Sequence, residues 1–365
     1  MHKDLVIYVG TYTQPIKFGT GQILNGKGKG IYRLKLNLDT GVLVEDGMVE
    51  EAVNPSYLAI DQTKNFLYAV NELKEYEGKE SGSVSSYKIN PETYELTYLN
   101  TRPTGGTDPC HVTVNNSNTH VFVSNFMSGS VCVFPIEKDG SLGEATHFIQ
   151  HTGSSIHKVR QTSPHAHSLT FDNENLRAFV PDLGIDKIMI YETDFTNGKL
   201  ITNEIPWYDV KPGSGPRHCE FKGNYCYVIN EISSTISVLS YNPANGLLTQ
   251  IQEVPTVTVP FEGENTCADI HITPDGKYLY GSNRGHDSIV IYSIDENTGL
   301  LENVDISPCG GKTPRNFGID PTGKYVLVCN QDTDNIVVFS IDQKSGKLLK
   351  VSDYSVPTPV CVKFY

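Results

Sequence analysis

The sequence predicts an all-β fold: a seven-bladed β-propeller with four-stranded blades, its ring closed by N- and C-terminal strands that share one blade. Three observations carry this prediction. First, a short theme recurs seven times: a strand usually led by Pro, a turn, a second strand that usually ends in Asn, a third strand, and a Gly-x-Leu hairpin. Second, the copies begin at Pro55, Pro109, Pro164, Pro216, Cys267, Pro314 and Pro357. They lie 43 to 55 residues apart, which is room for four short strands and their turns. Third, the last copy runs out after one strand, at Tyr365. Its missing second strand stands at the other terminus, where residues 5–13 align with 66–72 and 226–231. A repeat that starts at one end of the chain and finishes at the other describes a closed ring.

Each element has its own signal. Segments such as VFVSNF (121–126), IVIYSI (289–294) and YVLVCN (325–330) are dense in β-branched and aromatic residues, the composition of strands. NPANG (242–246), ENTG (296–299) and QKSG (343–346) are turns in which Gly or Asn supplies the positive φ of a tight hairpin. No long helical periodicity interrupts them. A sandwich would not explain the split repeat, and a linear solenoid needs polar caps where this chain has apolar strands. Length alone suggests two domains, but the unbroken repeat argues for a single domain over residues 1–365.

The theme is interrupted at 14–30, 73–82 and 147–163. These segments read as loops inserted between strands, where ligand contacts often sit. The stretch GTGQILNGKGKG (19–30) lacks the spacing of a phosphate-binding loop and no helix follows it, so it reads as a mobile loop.

MHKDLVIYVG enters a strand with no apolar leader region, and nothing approaches the ~18 apolar residues of a membrane span. The eight cysteines show no CxxC pair. Reduced, packed cysteines in a cytoplasmic protein are therefore expected over a Zn site built on Cys110, Cys267 and neighbouring His. A net charge of −13 without a basic run disfavours nucleic acid and anionic membranes as partners. Arginines that cluster in so acidic a chain have an anion to bind.

The repeat indicates such a cluster. The first two strands of each copy are antiparallel, so the start of the first and the end of the second face the same end of the ring. The residues after the repeat-initial position are Ser56, Cys110, His165, Arg217, Ala268, Arg315 and Thr358. Those ending the second strand are Tyr12, Glu72, Phe126, Asp182, Glu231, Arg284 and Gln331. One channel mouth thus collects three arginines, a histidine and three carboxylates, with His111, His167 and Asp269 a residue or two further along.

Plainer readings compete with this one. Asp182 could be a turn residue, and Arg284 and Arg315 could form interblade salt bridges with Asp269 or Glu231. The strand-ending asparagines read as structural, satisfying backbone between blades. His218 and His271 read as packing, and His120, His147, His151, His157 and His286 as solvated surface.

Guanidinium groups bind carboxylate or phosphate bidentately and stabilise an oxyanion formed from an ester carbonyl. A His or a carboxylate beside them can move the proton of an attacking water. Opening the lactone of an anionic sugar acid uses all of these parts. No GxSxG elbow is present, which disfavours a covalent serine hydrolase.

GTYT at Gly10, GKGIY at Gly28, PCHV at Pro109, SPHAHS at Ser163, GPRH at Gly215, YVINE at Tyr227 and SNRG at Ser282 resemble the bacterial lactonase family. Its members are seven-bladed propellers of the cycloisomerase-2 type of 6-phosphogluconolactonase, related to carboxymuconate-lactonizing enzymes. The resemblance spans essentially the whole chain and implies catalytic roles for His165, Arg217, Glu231 and Arg284. TCADIH departs from the pattern, with Cys267 where the other copies have Pro.

The resulting expectation is a metal-independent lactonase without a cofactor, opening 6-phosphogluconolactone in the pentose phosphate pathway. Its catalytic residues are His165, Arg217, Glu231 and Arg284, and either His165 or Glu231 activates water. Glu72, His111, His167, Asp182, Asp269 and Arg315 are the expected substrate-binding residues. The expected partner is a small anionic sugar lactone or carboxylate, and the expected state is a monomer. Two alternatives stand beside this: a muconate-type lactonizing cycloisomerase, and a non-catalytic propeller serving as an interaction scaffold. A charged rim, no WD signature and a single Trp (Trp207) weigh against the scaffold.

Overall fold

The computed structural model describes residues 4–18, 21–258 and 260–365, which form seven four-stranded antiparallel sheets and two small hairpins. The split repeat is one blade, in the order Pro359–Phe364, Asp4–Thr11, Ile31–Asn37, Leu43–Val49. In its closing ladder Val9 faces Val362 and Gly10 faces Cys361. We number this blade 1; blades 2 to 7 follow along the chain. Their second strands are Phe66–Asn71, His120–Asn125, Arg177–Asp182, Tyr225–Asn230, Tyr278–Arg284 and Tyr325–Asn330. Pro359–Phe364 touches the inner strands of both neighbours, Leu58–Ile60 and Pro314–Ile319, so the ring is closed.

The repeated sequence features each meet a backbone requirement. Gly41, Gly140, Gly198, Gly246, Gly299 and Gly346, between the third and fourth strands, have φ from +61° to +88°, a region that side-chain-bearing residues disfavour. Tyr94 takes this place in blade 2, at φ +60°. The strand-ending asparagines are buried. Those of blades 2, 6 and 7 donate to backbone carbonyls of the segment entering their blade: Asn71 to Val53, Asn283 to Thr256 and Asn330 to Cys309. Those of blades 3 and 5 instead bond hydroxyls of the neighbouring strand, Asn125 to Ser130 and Asn230 to Ser237.

A further device pins four of the blades to the next. Tyr8, Tyr68, Tyr227 and Tyr280, in second strands, are fully buried. Their hydroxyls donate to the hairpin carbonyls of the following blade: Tyr94 at 2.6 Å, Gly140 at 3.2 Å, Gly299 at 2.9 Å and Gly346 at 2.7 Å. The rest of each interblade layer is aliphatic and aromatic, as with Ile229, Ile236, Leu279 and Val290 between blades 5 and 6.

Some expectations are corrected. The inner strands of blades 2 and 4 are short, Leu58–Ile60 and Thr170–Phe171, and begin well after Pro55 and Pro164. In blade 4 the Asp182 carboxylate takes the amides of His165 and Gly184, replacing part of the ladder. The segment 147–163 is not wholly a loop, because His147–Gln150 is the outer strand of blade 3. The interruption at 73–82 carries a hairpin, Glu75–Tyr76 with Lys79–Glu80. The one at 14–30 pairs Pro15–Lys17 with Ile23–Asn25; Gly19 and Thr20 of the stretch read as a mobile loop lie outside the described residues.

Replacing Tyr8, Tyr227 and Tyr280 together by Phe removes three well-separated hydrogen bonds without changing shape. The triple variant should lose about 3 kcal/mol in denaturant unfolding, the sum of three single losses of about 1 kcal/mol. A loss under about 1 kcal/mol would show that the hydroxyls do not pin the blades.

Candidate functional site

Four inner strands carry a register shift at or just after the position that follows the repeat-initial residue. The shifts fall between Pro109 and His111, Pro216 and His218, Cys267 and Ile270, and Pro314 and Asn316. A bulged residue has no place in the ladder and its side chain is re-aimed. Cys110 and Arg315 accordingly line a cavity of about 290 Å³ at one channel mouth, and Arg217 lines a recess that adjoins it. Glu231 is fixed across the seam between blades 5 and 6, its amide donating to Gly215 and its carbonyl accepting from Cys267. Arg284 ends the second strand of blade 6 and donates to the Cys267 carbonyl at 2.8 Å. The chain turns sharply after it: Gly285 has φ +107°, and a Cβ there would sit 2.1 Å from the Glu264 carbonyl oxygen.

The Glu231 carboxylate, 4% exposed, is the hub of the cavity. One oxygen meets Arg217 Nε at 3.0 Å and Arg284 Nη2 at 2.8 Å; the other is paired with Arg160 Nη2. Burial by itself would raise this carboxyl, but Arg284, Arg160 and Arg217 outweigh it and hold it well below the usual range. Burial drags the Arg284 guanidinium down to about 10, still charged at neutral pH. The Arg217 Nε contact lies off the hydrogen-bond axis. The Nε groups of Arg217 and Arg284 are therefore buried donors without an acceptor.

His165 is 6% exposed, and its ring stacks on Phe126 with centroids 4.7 Å apart. Its Nδ1 lies 2.9 Å from the Phe126 carbonyl oxygen, which can only accept. Nδ1 therefore carries the proton and Nε2 the lone pair. Burial lowers the His165 pKa, so the ring is neutral and basic at physiological pH. His167 lies directly on the cavity wall, and burial and Arg217 hold it well below its ordinary value. Glu72 is also on the wall, accepting from the Tyr12 hydroxyl at 2.9 Å, and burial raises its carboxyl toward the neutral form.

Other expected substrate contacts are placed elsewhere. Asp182 is fully buried, bonded to the amides of His165 and Gly184 and to His151 Nδ1 at 2.7 Å. It holds His165 in place and does not line the cavity. Asp269, 1% exposed, is enclosed by His218 Nδ1 at 2.8 Å, His271 Nε2 at 3.1 Å and the Asn316 amide. His111 packs between Tyr57 and His218, at 4.4 and 5.6 Å. The shared reason is that these polar side chains find one another inside the channel before they find solvent.

The same network corrects the readings of His218, His271 and His151. His271 is not simple packing. Burial opposes its charge, but Asp269 and Glu220 raise its pKa to about 10. His151 is 4% exposed and bonded to Asp182 and Tyr191, so it is not solvated surface. Arg160 is a member of the Glu231 cluster that sequence reasoning missed. It lies outside the repeat positions, in the 147–163 insertion, and only the length of that interruption pointed to it. Among the described residues no group of three or more His, Cys, Asp or Glu side chains could hold a metal ion.

Fold and site together define a propeller enzyme frame with a charged pocket in which three arginines surround the buried Glu231. Residues 6–364 match the family described as "Lactonase, 7-bladed beta-propeller", and the chain belongs to that family. It is 37% identical to the 6-phosphogluconolactonase of Bacillus subtilis strain 168, over 98% of this chain and 97% of that one. A 6-phosphogluconolactonase of Formosa agariphila is 36% identical over 80% of this chain and 82% of its own. The periplasmic gluconolactonase PpgL of Pseudomonas aeruginosa superposes with a TM-score of 0.90 at 29% identity, covering 99% of each chain.

The His271 charge has a consequence for stability. Its folded pKa lies above the unfolded value of about 6.5, so its contribution is complete below that pH and is lost as pH rises toward about 10. Denaturation midpoints of the parent should fall between pH 7 and 10, and His271→Gln should flatten that fall. Equal slopes in the two proteins would contradict the charged network.

Proposed function

We propose that the chain opens the lactone of a phosphorylated sugar acid, 6-phosphogluconolactone, to 6-phosphogluconate, as a step of the pentose phosphate pathway. The observation that carries this reading is the Glu231 hub, which gathers three guanidinium groups at the cavity and its adjoining recess, with a neutral histidine stacked on Phe126 of the cavity wall. Family membership and the relatives named 6-phosphogluconolactonase and gluconolactonase support lactone hydrolysis.

In this mechanism the lactone carbonyl oxygen faces Arg284 on the cavity wall and Arg217 in the adjoining recess, whose positive charge stabilises the negative charge that develops. His165 Nε2 takes a proton from water as its oxygen bonds to the carbonyl carbon. The tetrahedral intermediate collapses by breaking the bond to the ring oxygen, and His165 returns the proton to that oxygen. The product is a hydroxy acid whose carboxylic proton goes to solvent. Glu231 is a poor proton acceptor, because both of its oxygens are engaged and its carboxyl is held well below the ordinary range. Its role is to hold the arginines in place.

Because the His165 pKa is lowered from about 6.5, the basic form persists at neutral pH. The acid limb of kcat/KM should therefore fall below pH ~6.5. His165→Gln should lower kcat roughly 10²–10⁴-fold, and Arg217→Ala about 10²–10³-fold. A His165→Gln variant within threefold of the parent, or an acid limb centred above pH ~7.5, would remove His165 as the base.

A further inference from the structure

The arginines of the cavity are not equivalent. Arg160, Arg217 and Arg284 all pair with Glu231, whereas Arg315 has no carboxylate within ion-pair distance among the described residues. Its guanidinium lies over the rings of Tyr12 and Phe18, at 5.5 and 5.2 Å from their centroids. Contact with a ring face steadies the cation and leaves its N–H donors free. Asp108 and Glu264 also line this cavity, and Asp108 pairs with Lys74 at 2.9 Å. Glu72 accepts from Tyr12, and Asp332 accepts from the hydroxyl of Thr313 and the amide of Gln331. Lys17, in the hairpin that follows Tyr12, adds a second cation to the same cavity.

We propose that Arg315, steadied by Tyr12 and Phe18 and joined by Lys17, is a subsite for the phosphate of the substrate, separate from the Glu231 cluster where the lactone opens. This inference rests on the function proposed above and divides that pocket in two. A free guanidinium offers paired N–H donors to two oxygens of one phosphate, and a nearby ammonium complements the remaining charge as a point cation. The Glu231 cluster suits a charge that develops only during the reaction, since its cations are already balanced in part. Arg315 suits a charge that the ligand brings with it. The subsite thus distinguishes a phosphorylated lactone from its unphosphorylated counterpart.

The test compares kcat/KM on 6-phosphogluconolactone and on glucono-1,5-lactone for the parent, Arg315→Met, Arg315→Lys and Lys17→Met. Arg315→Met should lower kcat/KM on the phosphorylated lactone about 10- to 100-fold, mainly through KM. The loss on the other lactone should be far smaller, so the ratio between the two falls. Arg315→Lys should recover part of the preference, and Lys17→Met should show a weaker form of the same change. Equal losses on both lactones, or an unmoved ratio, would overturn the subsite. Calorimetry with 6-phosphogluconate separates this from the reaction itself. If the parent opens neither lactone, the proposed function fails. In that case weaker 6-phosphogluconate binding by Arg315→Met than by the parent still supports the subsite, and equal binding refutes it. Unfolding curves of each variant identify any loss due to misfolding.

Discussion

One carboxylate with three guanidinium groups around it organises the working end of this protein. Glu231 is buried where an isolated negative charge would cost several kcal/mol. Arg160, Arg217 and Arg284 are also largely buried and would be equally unfavourable alone. Each side compensates the desolvation of the other, and the three guanidinium groups outnumber the one carboxylate they surround. In the proposed mechanism the arrangement stabilises negative charge developing on a carbonyl oxygen. In that mechanism it also removes Glu231 from proton transfer and leaves the task to a histidine whose tautomer is set by the Phe126 carbonyl.

The ring makes this arrangement possible. Arg217, Glu231 and Arg284 come from two adjacent blades and Arg315 from a third, and bulges at the start of the inner strands place residues that would otherwise continue the ladder. Closure through Asp4–Thr11 and Pro359–Phe364 keeps the inner strands at fixed spacing. The tyrosine pins tie blades to one another, and the polar network of His218, Asp269, His271 and Glu220 links the inner strands of blades 5 and 6. Rigidity of this kind suits catalysis by preorganised charge, where reorientation during the reaction would cost energy.

Much of this was legible in the sequence because a repeat converts position along the chain into position in space. The blade count, the shared terminal blade and the placement of Arg217, Glu231, Arg284 and Arg315 on one rim all follow from where Pro and Asn recur. Side-chain partnership was legible only in part: the interblade pair of Arg284 with Glu231 stood among the plainer readings, but the repeat does not encode the rest. Asp182 and Asp269 occupy rim-related positions, yet His151, backbone amides and the channel histidines claim them first. Arg160 enters from an insertion, where no periodicity could locate it. The tyrosine pins went unread because their acceptors are hairpin carbonyls of the next blade, separated by more than sixty residues in sequence.

The most direct test of the hub is lactone opening by Glu231→Gln, a change that keeps shape and removes charge. If the carboxylate holds the arginines in register, kcat should fall at least ~100-fold, about 2.7 kcal/mol of transition-state stabilisation, while circular dichroism still reports a folded propeller. A folded Glu231→Gln enzyme that turns over within tenfold of the parent would contradict the account.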